Sequence, residues 1–126
     1  MENSFLFVYG SLRPGAGHVM GDRLAGQGHW LGKASIRGDL YRVSWYPALV
    51  PGNGRVTGDV YGVPESLWTD LDHFEEADRP DPEYRRLVSP VQLESGLWLD
   101  AWVYWYNRPV AGLTPVRGGD WLNAPP

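Results

Sequence analysis

The segment LWLDAWVYWY, Leu97–Tyr106, constrains the fold more than any other part of this chain. Its side chains alternate in kind. Trp98, Trp102, Tyr104 and Tyr106 share one parity, and the other parity is aliphatic apart from Trp105. A strand sends successive side chains to opposite faces, so both faces of this one are apolar. Such a strand needs cover on both sides, as at the centre of a barrel or of a covered sheet.

The rest of the chain supplies partners for it. Phe5–Tyr9 reads as a buried strand, Trp30–Ile36 and Asp39–Val43 as strands split near Gly38, and the alternating stretch Arg55–Val63 as another. Tyr84–Leu93 reads as a strand bent at Pro90. YPALVPGNG, Tyr46–Gly54, carries two prolines and a Pro-Gly-Asn-Gly turn signal. Only PESLWTDLDHFEEA changes period. Leu67, Leu71 and Phe74 stand at i, i+4 and i+7 with Trp68 beside them, Pro64 suits a helix start, and RPDP, Arg79–Pro82, breaks it. Met20 and Leu24 lie one turn apart, which predicts a short helix over 19–25; the stretch after Asn107 is mostly loop. About six strands and one main helix predict an α+β fold built on a small β-barrel, closed or partly closed. The length of 126 residues predicts one domain, 1–126.

Composition narrows the function. The formal net charge is −4 with no basic run, which argues against a nucleic-acid surface. There is no cysteine, so disulfides, thiolate catalysis and Cys-based metal sites are excluded. His18, His29 and His73 are not at paired ligand spacing, and no metal site is expected. MENSFLFVYG lacks the charged and long apolar segments of a signal peptide, and no apolar run approaches the roughly 20 residues of a membrane helix. The expectation is a cytoplasmic protein with no membrane partner. No oligomeric state follows from these residues.

Two places invite chemistry. GSLRPGAG has Gly10 and Gly15 at the spacing of a phosphate loop, but Ala16 and Gly17 stand where Lys and Ser or Thr are required. What remains is either a glycine-rich turn ending a strand, or a loop in which Gly10, Ser11 and Leu12 present backbone N–H groups to an anion or a polarised carbonyl. The helix offers the second place. Turning about 100° per residue from Leu67 at about 0°, Leu71 falls at about 40°, Trp68 at about 100° and Phe74 at about 340°. Glu75 falls at about 80°, inside this apolar arc, whereas Asp72 at about 140° falls outside it and Glu76 at about 180° points to water. An inward carboxylate is either paired, here with Arg85 or Arg86, or raised in pKa and used for proton transfer.

VYGSL closing an N-terminal strand and LDHFE closing a helix together resemble the gamma-glutamylcyclotransferase-like superfamily. This group includes gamma-glutamylamine cyclotransferases, the butirosin-pathway cyclotransferase and bacterial YtfP-type proteins. FVYGSLRPG, YPALVPGNGRVTGDVYGV, LDHFE, EYRR and WVYWYNRPV…GGDWL follow in the order expected of its small bacterial members. The resemblance implies a small mixed β-barrel with flanking helices and conversion of a γ-glutamyl amine or peptide to 5-oxoproline, without a cofactor. It implies that Tyr9, Gly10, Ser11 and Leu12 bind the glutamyl group, that Glu75 is the catalytic acid and base, and that Tyr84 and Arg86 belong to the substrate site. Eight residues, EADRPDPE, separate Glu75 from Tyr84 where relatives often carry a shorter glycine-containing turn, which alters the pocket rim. The implied partner is a small γ-glutamyl molecule; a second reading has the same pocket bind such a molecule without catalysis.

Overall fold

A computed structural model describes residues 4–124. In chain order these form β1 (Ser4–Val8), α1 (Val19–Gln27), β2 (His29–Arg42), β3 (Pro47–Val63), α2 (Trp68–Phe74), β4 (Tyr84–Leu93), β5 (Trp98–Tyr106) and β6 (Thr114–Pro115). A 3₁₀ turn at Glu65–Leu67 leads into α2, and another follows at Trp121–Asn123. The strand order is β3-β1-β5-β4-β2-β6, and the further pairing of β2 with β3 closes five strands into a barrel. β1 runs parallel to β5 while the other pairs are antiparallel, so the barrel is mixed.

Two apolar cores explain why β1 and β5 carry apolar side chains on both faces. Phe7, Tyr9, Ala101 and Val103 pack inside the barrel with Leu49, Val60 and Val91. Leu6, Val8 and Tyr104 point the other way and pack with Leu24, Leu67, Trp68 and Leu71, beneath the two helices. β5 lies between β1 and β4, as its double-sided pattern requires. The aromatic face leaves this cover at its start, where Trp98 is exposed.

The chain departs from its expected local structure in four places. β2 is one strand, not two. Its register with β3 passes from Arg37↔Arg55 to Asp39↔Val50, so residues 51–54 bulge out opposite Gly38. The Pro-Gly-Asn-Gly signal therefore does not reverse the chain, and the Gly54 N–H donates to Asp39 Oδ1 at 3.0 Å within the bulge. The reversal sits upstream, where the Val43 N–H donates to the Tyr46 carbonyl at 3.1 Å. Turn residues mark unusual backbone, and a bulge uses the same chemistry as a turn.

The short helix α1 runs to Gln27, two residues beyond its expected end. His18 caps it, Nδ1 accepting from the Met20 N–H at 3.1 Å. α2 ends at Phe74, upstream of the RPDP breaker. It closes with a reversal in which the Glu76 N–H donates to the His73 carbonyl at 3.1 Å and the Ala77 N–H to the Asp72 carbonyl at 2.8 Å. Glu76 takes the left-handed conformation this requires, φ 57°, at a position where glycine is usual. Among the described residues, no helix is long and apolar enough to cross a membrane.

Candidate active site

β1 ends by delivering Tyr9–Leu12 to one end of the barrel. A cavity of about 170 Å³ opens there. Tyr9, Gly10, Ser11 and Leu12 line it on one side, and Glu75, Glu76, Glu83 and Tyr84 also contribute, together with Tyr104 of β5 and Trp45, Tyr46 and Pro47 from the β2–β3 reversal. The loop and the inward acid of the helix thus face one space.

The loop is held from behind. Arg13 is almost fully buried; its Nε lies 2.8 Å from Asp59 Oδ2 and its Nη1 2.8 Å from Asp120 Oδ1. Trp30 Nε1 donates to the other oxygen of Asp59 at 3.0 Å. The Gly10 carbonyl accepts from the Arg13 N–H at 3.0 Å. The N–H groups of Ser11 and Leu12 donate to no acceptor among the described residues, and both residues line the cavity. Helix α1 supports the same turn through Gly21, where a Cβ would stand 3.0 Å from the Ser11 carbonyl oxygen.

Gly10 is required for a reason other than freedom of φ. A Cβ there would meet Pro47 Cγ and Cδ at 2.7 Å. The proline ring cannot swing aside, so Gly10→Ala must push the loop and the start of β3 apart. Gly10→Ala is expected to lower stability by about 1–3 kcal/mol. It also weakens ligand binding disproportionately, which denaturation and a binding titration measure separately.

Glu75 caps the end of α2 in near-helical conformation, φ −82° and ψ −1°, which keeps the inward projection of the helical wheel. The same wheel fails for Glu76, because its left-handed backbone leaves the helix. Glu76 lines the cavity and pairs with Arg79 at 2.7 Å. Asp72, outside the apolar arc, is fully engaged. It receives Arg86 Nε at 2.8 Å, Arg86 Nη2 at 3.1 Å and the Tyr104 hydroxyl at 2.7 Å. Arg86 lies over the rings of Trp68 and Trp102 at 4.3 and 4.5 Å. It is outside the cavity lining, and its contacts fix α2 to β5 three residues before Glu75.

Glu75 has no Lys or Arg partner within 4 Å among the described residues. Burial, and then the charge of Glu83, push its carboxyl up to about 8. Burial also raises the phenols of Tyr9, Tyr84 and Tyr104, and the Glu75 charge contributes to each. These hydroxyls remain protonated and donate: Tyr9 to the Tyr104 carbonyl, Tyr84 to the Pro47 carbonyl at 2.6 Å, and Tyr104 to Asp72. The result is an unpaired carboxyl group, titrating near neutrality, in a cavity that also exposes backbone donors. Among the described residues, no three His, Asp or Glu side chains gather as metal ligands.

Sequence reasoning leaves out Trp45, Tyr46 and Glu83 from the lining and Arg13, Asp59 and Asp120 from the support. Arg13 carries a signal in its place within GSLRPG, since a loop that must hold a shape needs an anchor.

The closed mixed barrel thus carries, in one cavity, an isolated carboxyl group and a loop with open backbone donors. Comparison with known proteins then specifies the group: residues 6–123 match the family model "Gamma-glutamyl cyclotransferase, AIG2-like", and the chain belongs to that family. It is 38% identical over 125 residues to the gamma-glutamylcyclotransferase family protein YtfP of Escherichia coli K12, covering 94% of this chain and 96% of that one. The corresponding protein of Citrobacter rodentium is 36% identical over 125 residues, covering 94% and 95%. The solution structure of Escherichia coli ytfP superposes with a TM-score of 0.70 over 94% of this chain and 96% of its own. The crystal structure of a mouse AIG2-like protein, 25% identical, superposes with a TM-score of 0.71 over 99% of this chain and 86% of its own.

Proposed function

We propose that this protein cyclises a γ-glutamyl amine or peptide to 5-oxoproline and a free amine. The observation that carries the reading is the placement of Glu75 and the Tyr9–Leu12 loop on one cavity.

In the reaction the substrate's α-amine attacks its own γ-carbonyl carbon. One C–N bond forms and closes the five-membered ring; the C–N bond to the leaving amine breaks. Nucleophile and electrophile belong to one molecule, so holding them in contact supplies much of the acceleration. Glu75 takes a proton from the α-ammonium group and returns one to the leaving nitrogen. A carboxyl of pKa about 8 is far closer in basicity to an amine than an ordinary carboxylate is, which suits both transfers. The N–H groups of Ser11 and Leu12 hold either the oxyanion or the substrate carboxylate. Tyr9 and Tyr84 shape the wall that holds the glutamyl chain, and Arg86 acts through Asp72 and α2 without touching substrate. No step calls for a cofactor.

The test is a panel of γ-glutamyl amines and peptides assayed for 5-oxoproline, with Glu75→Gln as control. A non-catalytic binder would bind members of the panel and release none. A pH prediction accompanies it. Glu75 acts as base only when ionised, so kcat/KM rises with pH along a limb centred near 8, the value burial and Glu83 produce in the free protein. Glu83→Gln removes one of the two causes and moves the limb to lower pH. A pH–rate profile flat from about 6 to about 9 contradicts this assignment.

A further inference from the structure

The cavity carries more chemistry than a glutamyl group uses. Once the loop and Glu75 are assigned to that group, five of the other lining residues, Trp45, Tyr46, Phe74, Glu76 and Glu83, offer contacts for the leaving amine. Three are aromatic and two are acidic. Among the described residues the lining contains no Lys, Arg or His.

Three arginines close to the lining in sequence are each held by a carboxylate. Arg13 is buried between Asp59 and Asp120, Arg86 is locked on Asp72, and Arg79 pairs with Glu76. Glu83 accepts from the Tyr46 hydroxyl through Oε2 at 2.7 Å, while Oε1 accepts no hydrogen bond among the described residues. Trp45 is 60% exposed yet ordered by its neighbours. It stacks on His18 with centroids 5.6 Å apart and planes 3° apart, and meets the edge of Tyr46 at 5.1 Å. Phe74 packs against the same imidazole at 4.9 Å. An exposed, pre-arranged set of rings beside a carboxylate with an open acceptor suits a positive charge, which gains from ring faces and carboxylate together. A negative group would meet Glu83 and Glu76, of which only Glu76 has an arginine partner among the described residues, Arg79.

We infer that the leaving-amine end of this cavity selects γ-glutamyl substrates whose amine bears a second, positively charged amino group and no nearby carboxylate. The inference rests on the cyclotransferase reading for the orientation of the substrate. Its selectivity is set by Glu83, Trp45 and Tyr46, residues outside the proton transfer.

Three probes of equal length isolate the charge: the γ-glutamyl amides of 1,4-diaminobutane, of pentylamine and of 5-aminopentanoic acid. These end in ammonium, methyl and carboxylate. The expected order of kcat/KM is ammonium, then methyl, then carboxylate, with at least about tenfold between the first two, the size of one desolvated cation–π or ion-pair contact. Glu83→Gln and Trp45→Ala each shrink the ammonium-to-methyl ratio toward one. Using a ratio cancels any effect of Glu83 on the basicity of Glu75. Equal rates for the first two probes in the wild-type protein, or an unchanged ratio in Glu83→Gln, overturn the inference. If no probe yields 5-oxoproline, the cyclotransferase reading falls. Calorimetric Kd values for the same probes then decide the selectivity: an unchanged order supports it, and equal affinities overturn it as well.

Discussion

Glu75→Gln is expected to lose about 10²–10⁴-fold in turnover and, above neutral pH, to melt at a higher temperature than the wild-type protein. The two effects have one cause. The carboxyl titrates at about 8 in the folded chain, against an ordinary value of 4.5. Between those values the folded chain holds a proton that the unfolded chain has released, so stability falls as pH rises through this window and stays lowered above it. Each pH unit of that window corresponds to about 1.36 kcal/mol, so the cost at high pH is on the order of a few kcal/mol. Glutamine keeps the shape and carries no charge, and so avoids this cost. Melting curves at about pH 5 and about pH 9 check it: the variant matches the wild-type protein at the lower pH and exceeds it at the higher. Had Glu75 been paired with Arg85 or Arg86, the same substitution would lower stability at neutral pH and above. The structure instead gives Arg86 to Asp72, and that fixes the sign.

Arg13→Met is expected to produce the largest stability loss of any single substitution in the loop. Asp59 is 2% exposed and has Arg13 as its buried counter-charge. Removing the guanidinium leaves that carboxylate with only the Trp30 N–H, and stranding a buried charge costs about 3–5 kcal/mol. Asp120, which also caps the last 3₁₀ turn through the Leu122 N–H, loses its partner at the same time. Denaturant unfolding of Arg13→Met, Asp59→Asn and the double variant forms a cycle. The double variant is expected to be more stable than the sum of the single losses, because the uncompensated charge has gone. Additive losses would mean that the contact contributes nothing as a pair. Since the Arg13 guanidinium holds the loop from behind through Asp59 and Asp120, the surviving folded fraction of Arg13→Met is expected to bind substrate less well.

The architecture is legible where one residue's pattern settles its neighbours. Alternation in Leu97–Tyr106 demands cover on both faces, and the barrel interior and the helix layer provide it. Glu75 is legible because its offset from Leu67 and Leu71 depends only on helical pitch. Glu76 is not, since its placement follows from a left-handed residue that no glycine announces. The Pro-Gly-Asn-Gly bulge resembles a turn in sequence because both need the same backbone freedom, and only strand pairing distinguishes them. The Arg13–Asp59–Asp120 support joins residues 46 and 107 positions apart, a relation that no local spacing encodes. Glu83 and Trp45 come to the cavity for the same reason: each lies in a connecting segment whose course is set by tertiary packing.

The central claim is that this cavity closes a γ-glutamyl chain on itself with Glu75 moving the proton. The most direct measurement follows a γ-glutamyl amide by proton NMR in the presence of the wild-type protein and of Glu75→Gln at about pH 8, where the wild-type carboxyl is half ionised. 5-Oxoproline and free amine are expected in equal amounts with the wild-type protein, and neither above background with the variant although it still binds the amide. Equal rates of 5-oxoproline release from the two proteins would contradict it.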